Sequence, residues 1–235
     1  MRYTDIVPAV FIRRPNRFIA EVELDGRIET VHVKNTGRCH ELLTKGARVW
    51  LERSHNPARK TAFDLVTVEK IRSGMPPLLV NMDSQMPNHA AEEWLRKGDL
   101  FPEGSVIKRE SVWGNSRFDF RIEHEGNTSF LEVKGVTLEG SGIVSFPDAP
   151  TERGVKHINE LIECRKQGLG AWLLFVVQMK GPVLFRPNDQ THREFGDTLR
   201  KAVSMGVNCI AADCIVTPDS VEIDQLMPID LSLNI

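Results

Sequence analysis

Between Arg117 and Gly135 the chain alternates polar and apolar residues in two runs, Arg117 to Ile122 and Phe130 to Gly135, separated by the polar stretch Glu123-His124-Glu125-Gly126-Asn127-Thr128. A two-residue period folds as β-strand because successive side chains leave a pleated backbone on opposite faces. A polar break containing Gly and Asn suits the loop of a hairpin. The alternation predicts Phe118, Phe120 and Ile122 on one face of the first strand, and Leu131 and Val133 on the apolar face of the second. With those faces on a common core, Asp119, Glu132 and Lys134 project together from the other side. Two carboxylates and an ammonium on one patch of an apolar hairpin require a chemical reason.

Metal-assisted hydrolysis of a phosphodiester supplies one. Two hard oxygen ligands hold Mg2+ or Mn2+ loosely and leave positions for water and a phosphate oxygen. A nearby lysine orients the nucleophile or stabilises charge on the phosphate. The spacing resembles the active site of the PD-(D/E)xK nuclease superfamily, with Asp119 as the first acid and Glu132-Val133-Lys134 as the E-x-K. Arg117 and Phe118 stand where the leading proline would be. An E-x-K tripeptide arises by chance about once in a chain of this length, so the motif gains its weight from its surroundings.

Upstream, short alternating runs and tight turns predict a small barrel. Strands are expected near Val10–Ile12, Phe18–Leu24, Ile28–Val33, Ala47–Leu51 and Thr61–Ile71, with Asp25-Gly26 as a hairpin turn and a short helical turn at His40–Leu43. Ser73-Gly74-Met75-Pro76-Pro77 reads as the break that ends this region. Arg13, Arg14, Arg17 and Arg38 fall in expected loops, beside Phe11, Phe18 and Trp50. Residues 1–75 carry 14 Lys and Arg against 9 Asp and Glu, although the whole chain has a net charge of −2. That asymmetry places a polyanion partner at the barrel, and DNA phosphates are the expected ligand for these arginines.

Downstream, Asn88 is expected to cap a helix that stops at Gly98, with Ala91, Trp94 and Leu95 buried. Val106–Trp113 and the hairpin follow. Thr151 then caps a long helix to Gln167, stopped by Gly168. Its apolar stripe is Val155, Ile158, Leu161 and Ile162, with Gly154 in that stripe for close approach to a sheet. Arg153 and His157 lie one turn apart on its flank, where they reach a phosphate. A buried strand at Trp172–Gln178, a helix at Thr191–Ser204 and a strand at Val207–Val216 complete the pattern. The helix after the hairpin carries the chain back for a parallel strand. Helix, three antiparallel strands, helix, strand is the element order of PD-(D/E)xK domains.

The expected fold is therefore mixed α+β: an OB-like β-barrel over residues 1–82 and an α/β nuclease-like domain with a central mixed sheet over 83–235. The start Met1-Arg2-Tyr3-Thr4-Asp5 has no apolar run, and the most apolar stretch, Ala171–Val177, is too short to span a bilayer. Cys39, Cys164, Cys209 and Cys214 lack metal-ligand spacing, which argues for reduced thiols in a cytoplasm and against a zinc site.

Asn35-Thr36-Gly37, Ser116-Arg117-Phe118-Asp119-Phe120, Leu131-Glu132-Val133-Lys134 and the run from Phe146 to His157 together resemble the sugar fermentation stimulation protein A (SfsA) family over nearly the whole chain. The resemblance implies an OB-like domain followed by a nuclease-like domain, sequence-independent DNA binding and a regulatory link to sugar (maltose) metabolism. It places Asp119, Glu132 and Lys134 in the nuclease-like site, with Glu93 as the further metal-binding acid or Glu110 in its stead. Three functions stay open: a Mg-dependent nuclease, a non-catalytic DNA-binding regulator on a nuclease scaffold, and an oligosaccharide-binding barrel.

Overall fold

Apolar residues at alternate positions, among them Phe11, Ala20, Val22, Val31, Val49 and Leu51, line one buried face of a six-stranded sheet in the computed structural model. The structure describes residues 1–35, 37–98 and 100–233; Thr36 of the Asn35–Gly37 motif lies outside them. The strands are β1 (Ile6–Asn16), β2 (Ile19–Leu24), β3 (Arg27–Val33), β4 (Arg48–Arg53), β5 (Phe63–Arg72) and β6 (Met75–Asn81), in the order β3-β2-β1-β4-β5-β6. A parallel pairing of β3 with β5, where His32 faces Asp64 and Val33 faces Leu65, curls the sheet into the OB barrel. Asp25 and Gly26 both take positive φ (50° and 74°), the left-handed pair that a tight hairpin requires. Gly74 forms a turn into a sixth strand. Pro76 and Pro77 are tolerated there because β6 lies at the end of the sheet order.

The remainder comprises α1 (Met86–Arg96), β7 (Val106–Trp113), β8 (Ser116–His124), β9 (Asn127–Val136), β10 (Leu138–Gly140), β11 (Ile143–Phe146), α2 (Glu152–Lys166), β12 (Gly170–Val177), β13 (Leu184–Pro187), α3 (Arg193–Ser204), β14 (Asn208–Thr217) and β15 (Ser220–Met227). The main sheet runs β15-β14-β12-β9-β8-β7. β12 is parallel to both β9 and β14, whereas β7, β8 and β9 form an antiparallel meander. A small sheet of β10, β11 and β13 and the edge strand β15 are additions that sequence periodicity did not reveal. Among the described residues, no helix is long and apolar enough to cross a membrane.

Helix α2 begins where its capping chemistry dictates: the Thr151 hydroxyl accepts from Gly154 N at 3.1 Å. It ends on Gly168 (φ 78°), with Gly168 N donating to Arg165 O and Leu169 N to Cys164 O. Val155, Ile158, Leu161 and Ile162 are buried, each worth about 1.5–3 kcal/mol of transfer free energy as an upper estimate. Gly154 leaves room for the capping Thr151 side chain, 2.9 Å from where a Cβ would stand, and for the Phe195 ring of α3 at 3.3 Å. Helix α1 starts earlier than its sequence suggested. Gln85 is its N-cap and Pro87 lies in its first turn, which frees the Asn88 side chain.

Polar contacts tie the barrel to the second sheet. The Gln178 side chain donates to Asn81 O, Asn81 Oδ1 and Asp83 O at 3.0–3.1 Å. The Lys70 ammonium meets the buried Glu139 carboxylate at 2.6 Å.

Candidate metal centre

The hairpin expected from the alternation is β8–β9, paired from Phe120↔Leu131 to His124↔Asn127. Beyond Phe120 the two strands lose ladder pairing, and the Asp119 side chain fills the gap: its Oδ2 accepts from Val133 N at 2.7 Å. The register break also turns Phe118. Phe118 packs with Phe130 at 5.4 Å and with the His157 ring, whereas Phe120 and Ile122 join the core beside α1. The expectation that all three share a face is corrected by this local departure from regular pleating.

Glu132 and Lys134, two residues apart on β9, share a face, and Lys134 Nζ donates to Glu132 Oε1 at 2.5 Å. The same Oε1 accepts from His157 Nδ1 on α2. His157 Nε2 in turn accepts from Arg153 Nε at 3.4 Å, a long contact that agrees with the proton residing on Nδ1. His157 is thus buried at 6% exposure behind Glu132, and Arg153 is the exposed member of that flank. The burial of His157 is at odds with the direct phosphate contact expected of it.

Asp119 is reached from a third element. Asn88 Nδ2 on α1 donates to Asp119 Oδ1 at 2.7 Å. Sequence reasoning spent Asn88 on a helix cap and missed this contact. Neither extra acid is drawn in. Glu93 is exposed and pairs with the Met1 ammonium. Glu110, at φ 52°, pairs with Arg117 at 2.8 Å on the outer strand. No hydrogen bond or ion pair among the described residues ties either carboxylate to Asp119, Glu132 or Lys134, so neither joins the centre as expected.

Electrostatics pushes the two central acids apart. Burial, then the neighbouring Glu132 charge, pushes Asp119 up to about 6. Burial also acts to raise Glu132, but His157 and Lys134 more than offset it and hold the carboxylate below its ordinary value. Glu132 is therefore the more readily ionised of the two. Its second oxygen, Oε2, is buried without a hydrogen-bond partner among the described residues. An orphaned anionic oxygen costs free energy unless something cationic meets it. With Asp119 beside it, the donor set is hard, oxygen-based and anionic, which fits Mg2+, Mn2+ or Ca2+.

A second grouping, Glu152, His192 and Glu194, brings ligand atoms within 4.8 Å of one another. There His192 Nδ1 accepts from Thr151 N at 3.2 Å, so the ring proton sits on Nε2, facing Glu152. That tautomer offers a cation no free lone pair, and both acids are exposed.

The expected DNA-binding arginines divide into two kinds. Arg13 is bound bidentately by Glu21 at 2.7 and 2.8 Å. Arg14 donates to four carbonyls, those of Gly37, Arg38, Arg17 and Asn35, and so holds the loop together. Arg17 and Arg38 are exposed and form no ion pair with a described residue.

The family model described as the sugar fermentation stimulation protein RE domain matches residues 85–220, and that described as the SfsA N-terminal OB domain matches residues 12–74. The sugar fermentation stimulation protein homolog of Clostridium beijerinckii is 52% identical over 231 residues, covering 98% of this chain and 100% of the relative. That of Ruminiclostridium cellulolyticum is 50% identical over 231 residues, with 98% and 100% covered. Among solved structures, Pyrococcus furiosus SfsA in complex with Ca2+ superposes with a TM-score of 0.84 at 27% identity, covering 98% of each chain.

Proposed function

The chain belongs to the sugar fermentation stimulation protein family, and from that premise we propose that it is a DNA-binding, divalent-metal-dependent phosphodiester hydrolase. The observation that carries the reading is the buried, unpartnered Oε2 of Glu132, beside Asp119 and Lys134 on one hairpin. The complex of the Pyrococcus furiosus relative with Ca2+ supports a divalent cation as the ligand class.

Asp119 and Glu132 would hold Mg2+ or Mn2+, which supplies Lewis acidity toward a phosphate oxygen and a more acidic bound water. His157 fixes the Glu132 carboxylate from behind, and Asn88 fixes Asp119 from the side. Lys134 has two further N–H groups beyond its contact with Glu132. These orient the attacking water or meet charge building on the phosphate. Arg153 and the exposed barrel arginines Arg17 and Arg38 bind backbone phosphates, which makes recognition independent of sequence.

One observation favours a second reading, a DNA-binding regulator without turnover. The position on α1 nearest Asp119 is an amide, Asn88, so the centre has fewer acids than were expected. The two are separated by a Mg2+- and Mn2+-dependent cleavage assay on single-stranded, duplex and branched DNA, using wild type, Glu132→Gln and Lys134→Ala at matched DNA affinity. Cleavage that both substitutions abolish while binding survives is expected. Binding without cleavage by any form leaves the regulator.

A further inference from the structure

A cleft of about 640 Å3 opens on the barrel beside the turn between β1 and β2, and Ala149, from the segment that leads into α2, completes its wall. The buried Phe11 and Leu43 and the half-buried Ala149 give it an apolar floor. Arg17, Arg38 and Lys45 stand exposed at its rim, and none forms an ion pair with a described residue. Arg13 and Arg14 also border it but are committed to Glu21 and to loop carbonyls. Cations without a carboxylate partner, of which Arg17 lies over the Phe18 ring at 4.9 Å, around an apolar floor select a ligand with an apolar body and an anionic edge.

Inorganic phosphate would leave the floor uncovered, and a neutral oligosaccharide would leave the cations unpaired. A DNA duplex keeps its bases stacked and paired, so they cannot reach the floor. We propose that this cleft takes one unpaired nucleotide of a nucleic-acid strand, with its base on the Phe11, Leu43 and Ala149 floor and its phosphates on Arg17, Arg38 and Lys45. This rests on the nucleic-acid reading above and narrows its substrate to strands that present an unpaired nucleotide.

The position of the cleft relative to the metal centre supports the assignment. Asp148, next to Ala149, packs so closely on Gly37 that a Cβ there would lie 2.3 Å from Asp148 Oδ2. Asp148 and Asn35 also border a small polar cavity of about 110 Å3, whose lining includes Gly135, the residue after Lys134. The cleft and the strand that carries Glu132 and Lys134 are thus bordered by the same loop, through Asn35, Gly37 and Asp148.

Fluorescence anisotropy in EDTA tests the proposal on the full chain. The probes are a labelled single-stranded oligonucleotide and the blunt duplex of the same sequence. The single strand is expected to bind about tenfold or more tightly than the duplex, because only unpaired bases reach a stacking or apolar surface. Ala149→Phe, which fills the floor, should weaken the single strand about tenfold and the duplex less than about twofold. Arg17→Ala and Lys45→Ala, both at exposed positions, should each weaken binding and lower the salt slope by about one unit. Equal affinity for both probes overturns the proposal. So does single-strand affinity indifferent to Ala149→Phe, or indifferent to both cation variants, or displacement of the probe by maltohexaose. EDTA removes catalysis from the readout, so failure of the hydrolase reading leaves this result intact. Cleavage retained by cleft variants that bind normally overturns the cleft alone.

Discussion

His157, on α2, donates from Nδ1 to Oε1 of Glu132, on β9, and so couples a helix to the strand that carries the metal-binding acid. Lys134 holds the same oxygen, which leaves Oε2 as the open coordination position. Two donors on one oxygen fix the orientation in which the carboxylate presents the other.

Removing that orientation has a measurable cost. His157→Ala should weaken Ca2+ or Mn2+ binding by about 10–100-fold, the usual penalty for losing an outer partner of a metal ligand. It should also destabilise the protein by about 1–3 kcal/mol, since a buried acceptor loses its donor. Isothermal titration and urea unfolding read the two effects. Unchanged metal affinity would reduce His157 to a core residue.

Acidity at Asp119 sets a pH dependence. Its folded pKa, pushed up to about 6, lies above the unfolded value. The group therefore favours the folded state in protonated form; that contribution is full below about pH 4 and is lost as pH rises through about 6. Cation binding needs the ionised form. The Tm gain on adding Ca2+ should be larger at about pH 8 than at about pH 5. Without cation, wild type should lose stability relative to Asp119→Asn as pH climbs through about 6. A cation effect flat across this range contradicts the assignment of Asp119 as a ligand.

Asn88 offers the converse experiment. Asn88→Asp places a third carboxylate 2.7 Å from Asp119, measured from the present Nδ2. Like charges at that distance should lower the cation-free Tm, by about 1–3 kcal/mol in stability. The same charge should strengthen metal binding. Differential scanning calorimetry with and without Mn2+ should show a depressed cation-free Tm and a larger Mn2+ increment than in wild type. A variant that is destabilised and gains no Mn2+ increment would place the cation elsewhere.

How much of this was legible in the sequence follows from how local each determinant is. The Thr151 cap, the Gly168 stop, the Asp25-Gly26 turn and the β8–β9 hairpin depend on neighbours in the chain, and they form as expected. The Asp119, Glu132 and Lys134 grouping was legible for the same reason. What decides the rest is tertiary. Asn88 looked like a cap because nothing in its neighbourhood announces Asp119, 31 residues away. His157 read as a phosphate contact because nothing near it in the chain shows that the packing of α2 over β9 places it against Glu132. Glu93 carries an acid on the expected helix, but the chain's own N-terminus claims it. Phe118 follows the alternation in sequence and departs from it in space, because the strand pair opens at Asp119.

The arginines near the barrel cleft should separate by role. Arg14→Ala leaves the carbonyls of Gly37, Arg38, Arg17 and Asn35 without their shared donor and should lower Tm by several degrees, about 1–3 kcal/mol. Arg17→Ala should leave Tm within about 1–2 °C, as surface substitutions do. Thermal melts of the two variants side by side check this. Equal losses would mean that Arg17 is also a structural residue.

The most direct test is where a cation sits. Crystals soaked in Mn2+ and measured at an anomalous wavelength should show a peak about 2.0–2.4 Å from Glu132 Oε2 and from an Asp119 oxygen. Glu132→Gln should remove it. A peak at Glu152, His192 and Glu194 with none at the hairpin, or no ordered Mn2+ at either, would contradict a metal-dependent centre built on Asp119 and Glu132.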